Sequence, residues 1–291
     1  MITIGLLAYN KPQFISRAIN SVLNQNFKSF SLIISDDSSN NDVENIVNSK
    51  YSDDSRITYI RRPRIGMTNN FVATMLTCTT KYFIWLCDDD YLSEDYLEKT
   101  ITFLEENNEY ALVTGTTRFF DGNGILDRHE FLNLEDDNPS KRVINYFRKV
   151  NSNIILYGVM KTAEVKHFIY PDIFGADLFW SSQVVCSGKV KILGDTFFYY
   201  NLEGISSDTQ KLAEYYNRNQ KKKNPYLIVR NVAFNMIIKR KGAFRKLKFI
   251  QSKLLSFRVW LILRDRFCLT KLESTIRQNL KLRSRWKFIF R

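Results

Sequence analysis

Cysteine and histidine are scarce in this sequence, and their spacing closes off several kinds of chemistry. Cys78, Cys87, Cys186 and Cys268 form no CxxC pair, and His129 and His167 lie far apart. Structural zinc sites need closely spaced Cys and His ligands, and disulfide scaffolds need many regularly placed cysteines. Both readings are set aside, and a reducing cytoplasm is the expected setting. Only eleven glycines occur. None of them builds a Gly-x-x-x-x-Gly-Lys or Gly-x-Gly-x-x-Gly loop after the first apolar run, so ATPase and Rossmann dinucleotide readings lose their phosphate cradle. No window of 18 uncharged apolar residues is present, which predicts no membrane-spanning helix. The opening ITIGLLAYN has neither a basic n-region nor a small-residue cleavage site and reads as a strand rather than a signal peptide.

What the chain does have is an uneven charge. Its net charge is +13, yet residues 215 to 291 carry 22 Lys and Arg against two acids, Asp265 and Glu273, for +20. The first 214 residues are therefore at −7. A mildly acidic body with a strongly basic tail predicts two regions: a catalytic domain over 1–210 and a basic helical region over 211–291.

Along the body, strand and helix patterns alternate. Apolar runs at 2–8, 30–35, 57–61, 82–87 and 111–115 predict strands. Helical spacing follows Pro12, and further helices are predicted over 42–50 and 68–77 and after Ser93, a candidate cap. This order predicts βαβ units and an α/β fold with a mostly parallel sheet. Residues 118–126 read as a hairpin turning at 121–124, and 139–150 as a helix. Residues 153–160 read as a strand or a buried loop. A helix ended by Gly188 and then strands are predicted up to 201.

The chemistry gathers at the ends of the predicted strands. The fourth strand, YFIWLC, runs straight into Asp88, Asp89 and Asp90, and the second ends on Asp36 and Asp37. Adjacent carboxylates repel one another and lose stability when desolvated alone. An oxygen-preferring divalent cation, Mn2+ or Mg2+, is their natural partner, with a diphosphate completing its shell. A solvated loop with a helix cap is the plainer alternative. Two acidic strand ends, with Tyr9 and Asn10 after the first strand, converge on the edge where open α/β sheets bind ligands.

The chain resembles family 2 glycosyltransferases of the GT-A fold. The resemblance rests on AYNKPQFISRAINSVLNQNF, SLIISDDSS, IGMTNNF, WLCDDDYLSEDYL, LYGVMK and the ordered GAD, SGKV and GD segments, and it spans roughly residues 1 to 207. It implies an inverting, metal-dependent transferase that uses a nucleotide-sugar donor, a UDP-sugar first. It also implies a nucleotide site of Ala8, Tyr9, Asn10, Asp37, Arg64 and Asp88. Tyr9 would lie against the base, and Asp37 would accept from a base N–H. Asp88 would face the ribose or a metal-bound water. Asp89 is implied as the metal ligand, with Asp90 either a second ligand or a loop-shaping residue. Asp177, in GAD, is implied as the general base, a role that a helix cap could share.

One departure stands out. Where relatives often carry Arg and His after the last sheet strand, this chain has YYNLEGISSD, with Asn201 and Glu203 at those places. Glu203 or water is left to fill the corresponding coordination position. Arg61, Arg62 and Arg64 form a basic loop that either neutralises phosphates or is solvated. His129 and His167 read as surface or capping residues, and Cys87 as packing.

In the tail, Phe244, Leu247, Ile250, Leu254, Phe257 and Leu261 form a helical stripe among Lys and Arg, and SRWKFIFR adds aromatics. A basic amphipathic segment over 243–291 predicts peripheral binding to an anionic membrane surface, the inner face of the plasma membrane. The alternative is packing on the catalytic domain or on a second subunit, which leaves a homo-oligomer open. No nucleic-acid motif is present, and the apolar stripe argues against that partner. A membrane location fits a glycan or lipid-linked acceptor and, with the resemblance, surface polysaccharide synthesis. The competing functions are a nucleotidyltransferase and a non-catalytic binding module driven by the tail.

Overall fold

The structure is a computed structural model, and it describes residues 1–126, 132–204, 215–216 and 226–268. The predicted features at His129, Lys221 to Lys223 and SRWKFIFR lie outside the described residues. The strands are β1 (Ile2–Ala8), β2 (Phe30–Asp36), β3 (Ile57–Arg61), β4 (Tyr82–Cys87), β5 (Tyr91–Leu92), β6 (Tyr110–Asp121), β7 (Gly124–Ile125), β8 (Val159–Lys161) and β9 (Lys189–Asn201). The helices are α1 (Pro12–Leu23), α2 (Asp42–Tyr51), α3 (Met67–Thr77), α4 (Tyr96–Glu106), α5 (Pro139–Lys149), α6 (Thr162–Val165), α7 (Ala176–Ser187), α8 (Tyr226–Ile238) and α9 (Phe249–Leu263).

The strands form one sheet in the order β3-β2-β1-β4-β8-β6-β9-β5, with β7 on β6. From β3 to β4 all pairs are parallel. β8 then runs antiparallel to both β4 and β6. The strand order reverses at β1, so β1 and β4 flank a topological switch point where a crevice opens at the strands' C-terminal ends. Every residue of β1 is buried, consistent with a central strand covered on both faces.

Register sets the level of the site. Ala8 pairs with Asp36 and Leu7 with Cys87. The Asp37 N–H then donates to the Ala8 carbonyl and the Asp88 N–H to the Leu7 carbonyl, each at 3.0 Å. Tyr9, Asp37 and Asp88 thus leave the sheet at one height.

Several expectations shift in detail. α4 starts at Tyr96, because a short β5 intervenes and Ser93 hydrogen-bonds Asp95 instead of capping the helix directly. The segment 153–160 divides into a 3-10 turn, Ile154–Tyr157, and β8. The two strands expected before 201 are one continuous β9, with a register shift opposite Gly115. Asn138 caps α5 by accepting from the N–H groups of Ser140 and Lys141, with Pro139 opening the helix.

α8 and α9 pack on each other, α9 also on α5, and α8 on α7. Their buried residues, among them Val229, Ile237, Val259 and Leu263, join the same core as the sheet. Among the described residues no helix is long and apolar enough to cross a membrane.

Candidate active site

Two adjoining cavities lie at the C-terminal edge of the sheet. The first, of about 310 Å³, is lined by Leu7, Ala8 and Tyr9 at the end of β1, Asp37 after β2, and Cys87 to Asp90 at the end of β4. Arg64, Gly66, Met67, Asn70 and Phe71 close one side, and Tyr157, Tyr200, Asn201 and Tyr215 another. The sequence-predicted residues Ala8, Tyr9, Asp37, Arg64, Asp88, Asp89 and Asp90 all reach this cavity. Asn10 does not line it. Its amide oxygen accepts from the Ser39 N–H and its own N–H donates to the Ser38 hydroxyl, so it ties the β1 and β2 loops together.

The three aspartates are buried, each at most 5% exposed. The Asp88 carboxylate accepts from the Tyr9 N–H at 2.7 Å, and Asp90 accepts from the Asn201 N–H at 2.9 Å. Lys11 donates to Asp89 and lies 3.8 Å from Asp88. Arg17 donates to the Asp89 carbonyl at 2.9 Å while its guanidinium packs over the Tyr91 and Phe120 rings. Burial pushes the Asp88 carboxyl up to about 8, against the opposing pull of the Lys11 ammonium and with a smaller upward push from the Asp89 charge. Burial with the adjacent Asp89 charge raises Asp90 well above the usual carboxylate range. On Lys11, burial works downward, but the attraction of Asp88 and Asp89 outweighs it and the ammonium is held above its ordinary value.

This donor set suits a hard cation. Ligand atoms of Cys87, Asp89 and Asp90 lie within 4.8 Å of one another. Mn2+ and Mg2+ take carboxylate oxygen, so Asp89 and Asp90 fit, and among the described residues Lys11 brings the one ammonium paired with the cluster. Burial pushes the Cys87 thiol up and its Sγ meets the Tyr157 hydroxyl at 3.5 Å, so it remains a neutral packing group and a poor ligand.

Asp37 is held rigidly. Its two oxygens accept from the Ile65 and Gly66 N–H groups at 2.7 and 2.8 Å. That turn needs Gly66 at φ +86, where a side chain would be strained. Arg61 and Arg62 do not face the cavity. Arg61 pairs with the fully buried Asp36 at 2.8 Å and donates to the Ser38 and Asn40 carbonyls. Arg62 donates to the Ser35 hydroxyl. Of the three arginines only Arg64 lines the cavity.

The second cavity, also about 310 Å³, shares Met67, Phe71, Tyr157 and Tyr200 with the first. Its polar focus is Asp177, in the first turn of α7. Gly175 caps that helix at φ +75, a left-handed turn that suits glycine. Burial raises the Asp177 carboxyl, opposed by a 2.7 Å hydrogen bond from the Asn153 amide. Asn153 in turn accepts from the buried Tyr146 hydroxyl at 2.8 Å.

The model of glycosyl transferase family 2 matches residues 3–167. The chain belongs to glycosyl transferase family 2. An uncharacterised glycosyltransferase of Methanocaldococcus jannaschii is 25% identical over 80% of this chain and 83% of its own. A Campylobacter jejuni protein named GalNAc(5)-diNAcBac-PP-undecaprenol beta-1,3-glucosyltransferase is 32% identical over 37% of this chain and 35% of its own. The Escherichia coli chondroitin synthase is 28% identical, but the match spans only 18% of that protein. Staphylococcus aureus TarS, solved as residues 1–349 in complex with UDP-GlcNAc, superposes with a TM-score of 0.65 at 15% identity, over 91% of this chain and 73% of that one. That likeness gives the GT-A fold. The protein is a glycosyltransferase, and the nucleotidyltransferase and non-catalytic readings fall.

The enzyme's site also holds residues that sequence reasoning missed. Lys11 follows the Tyr9-Asn10 signature and gave no sign that its ammonium would turn to Asp89. Asn153 precedes the LYGVMK segment and Tyr157 lies within it, but neither was singled out as a site residue. Tyr215 and Tyr216 reach the site from the tail side: the Tyr215 hydroxyl accepts from the Met67 N–H, and the Tyr216 hydroxyl pairs with Thr68. Glu203 is not placed as a ligand. Its carboxylate accepts from the Gly122 N–H at 3.0 Å and steadies the β6–β7 turn. His167 is exposed, as expected.

Proposed function

We propose that the enzyme moves a sugar from a nucleoside-diphosphate donor, with UDP-sugars first, to a hydroxyl of a glycan or lipid-linked acceptor, inverting the anomeric centre. One observation carries this reading: two cavities share a wall, with the carboxylate cluster in one and Asp177 alone in the other. The first takes the donor nucleotide. Tyr9 offers its exposed ring to the base, and Asp37, already fixed by two backbone donors, presents its remaining lone pairs to a base N–H. Arg64 faces the phosphates. Asp89 and Asp90 would hold Mn2+ or Mg2+, which when bound stabilises the charge on the departing diphosphate.

The second cavity takes the acceptor. Asp177 removes the proton from the attacking hydroxyl as its oxygen bonds to the anomeric carbon. The carbon–phosphate-oxygen bond breaks on the opposite side, and its electron pair leaves with the nucleoside diphosphate. A raised carboxyl suits this work, since a base is most effective with a pKa closer to the working pH. Support for the donor class comes from neighbouring structures. TarS is named with UDP-GlcNAc, and a Pyrobaculum calidifontis mannosyltransferase, TM-score 0.54 at 11% identity, with GDP-Man and Mn2+. The Campylobacter relative is named for a PP-undecaprenol compound, which supports a lipid-linked acceptor. With such an acceptor, the setting we propose is surface polysaccharide synthesis at the inner face of the plasma membrane.

Thermal shift with UDP, GDP and dTDP, each with and without Mn2+, tests the donor half. UDP with Mn2+ is expected to stabilise the enzyme most. That gain should vanish with chelator and in Asp89→Ala. No shift with any nucleotide would contradict the reading. A panel of nucleotide sugars scored for hydrolysis then identifies the sugar.

A further inference from the structure

The expected apolar stripe of the tail divides in the structure. Phe244, Leu247 and Leu261 are buried in the body. Ile250, Leu254 and Phe257 are not: they are 70%, 59% and 58% exposed, and Phe249 beside them is 59% exposed. The opposite face of α9, with Leu255, Val259 and Ile262, supplies the packing, so the outward face is not needed for the core. Half of the large apolar side chains exposed among the described residues lie on this one helix. A continuous apolar face of this kind on a well-packed body marks an interaction surface.

Its surroundings identify the partner. Between Lys239 and Arg264 the chain has nine Lys and Arg and no acid. Lys248 and Lys253 are exposed at the edges of the apolar face, and the Lys253 ammonium lies over the Phe249 ring at 4.2 Å. Large apolar groups framed by cations, on a helix lying flat on a folded body, match the boundary between acyl chains and anionic head groups. A nucleic acid would use the cations but would leave four large apolar side chains in water. A second copy of the chain would have to bring equally dense positive charge against itself.

We propose that this face of α9 seats the enzyme on an anionic bilayer, with Phe249, Ile250, Leu254 and Phe257 entering the interfacial layer. The inference deepens the lipid-linked acceptor reading and rests on it for its purpose. The geometry ties the two together. Just beyond α9, Phe267 stacks on Tyr226 at 4.6 Å, and Tyr226 lines the Asp177 cavity. Arg266 donates to the Phe147 and Val150 carbonyls, fixing the helix end beside Asn151, which also lines that cavity. The docking helix is therefore anchored to the wall of the acceptor pocket and holds that pocket close to the membrane plane.

The test is co-sedimentation of the full chain with vesicles of phosphatidylcholine alone or mixed with phosphatidylglycerol. Ile250→Glu/Phe257→Glu is compared with wild type, and gel filtration with light scattering is run on both. Wild type is expected to bind the anionic vesicles and to lose binding at high salt. The double variant is expected to bind at least about tenfold more weakly, with an unchanged melting temperature and an unchanged UDP shift. Equal vesicle binding by the variant overturns the proposal. So does a wild-type dimer that the variant dissociates, or retention on DNA with none on vesicles. Because vesicle binding needs no donor or acceptor, its failure is separate from any failure of the glycosyl-transfer reading.

Discussion

The Lys11 ammonium donates to the Asp89 carboxylate and lies 3.8 Å from Asp88. A protein cation thus stands where the carboxylates are expected to grip a metal, on the segment that also carries Tyr9 into the cavity. On the proposed reading, a divalent ion entering this corner would displace Lys11, and the freed ammonium would meet the donor's phosphates.

Lys11→Met is expected to lower the melting temperature in chelator, because three buried carboxylates lose their compensating charge. The same variant should bind Mn2+ more tightly without nucleotide, by about tenfold, since one competitor is gone. Calorimetric titration with Mn2+ reads the affinity, and a thermal scan with and without EDTA reads the stability.

Asp177→Asn should reduce kcat by about 10²- to 10⁴-fold and leave the UDP shift intact. Its effect on stability has a definite sign. Burial holds the folded-state carboxyl of Asp177 above its unfolded value. The stability tied to the protonated form is therefore complete below the unfolded pKa and is lost as pH rises through the folded one. Removing the charge removes that loss, so the melting temperature of Asp177→Asn at neutral pH should equal or exceed that of wild type.

Asn153 is the positioning residue for Asp177. Burial raises the Asp177 carboxyl, and the Asn153 amide opposes that rise. Asn153→Gly keeps the left-handed backbone at φ 49 and deletes the amide. The acidic limb of the kcat/KM profile, where the base is protonated and inactive, is expected to move to higher pH. A loss of activity with an unmoved limb would assign Asn153 to packing alone.

Arg61 and Arg64 are three residues apart and should behave oppositely. Arg61→Met strips a partner from the fully buried Asp36. The Tyr59 hydroxyl and Ser38 N–H still hold that carboxylate, so the expected cost is at the lower end, about 2 kcal/mol, with nucleotide affinity retained. Arg64→Ala should weaken UDP binding with little change in denaturant midpoint.

Much of the lining of the first cavity was legible because it is local. Tyr9, Asp37 and Asp88 each follow directly on a buried strand, and parallel register brings strand ends level. The α/β order was readable for the same reason: β1, β2 and β4 are short apolar runs punctuated by turn residues. Long-range choices were not readable. That Glu203 would turn to Gly122, that Arg61 would be consumed by Asp36, and that Asn153 would meet Asp177 depend on which loops pack together, and no spacing encodes that. The tail stripe shows the limit well. Periodicity marked Leu247 and Leu254 as equivalent, but the chain turns into a new helix at Phe249, so one is buried and the other faces outward.

The most direct measurement is anomalous scattering from crystals grown with Mn2+ and UDP. The account predicts a manganese peak within about 2–2.5 Å of Asp89 and Asp90 carboxylate oxygens, joined to the UDP diphosphate, with the Lys11 ammonium moved off Asp89. UDP bound in the cavity without a peak, and with Lys11 still paired to Asp89, would contradict it.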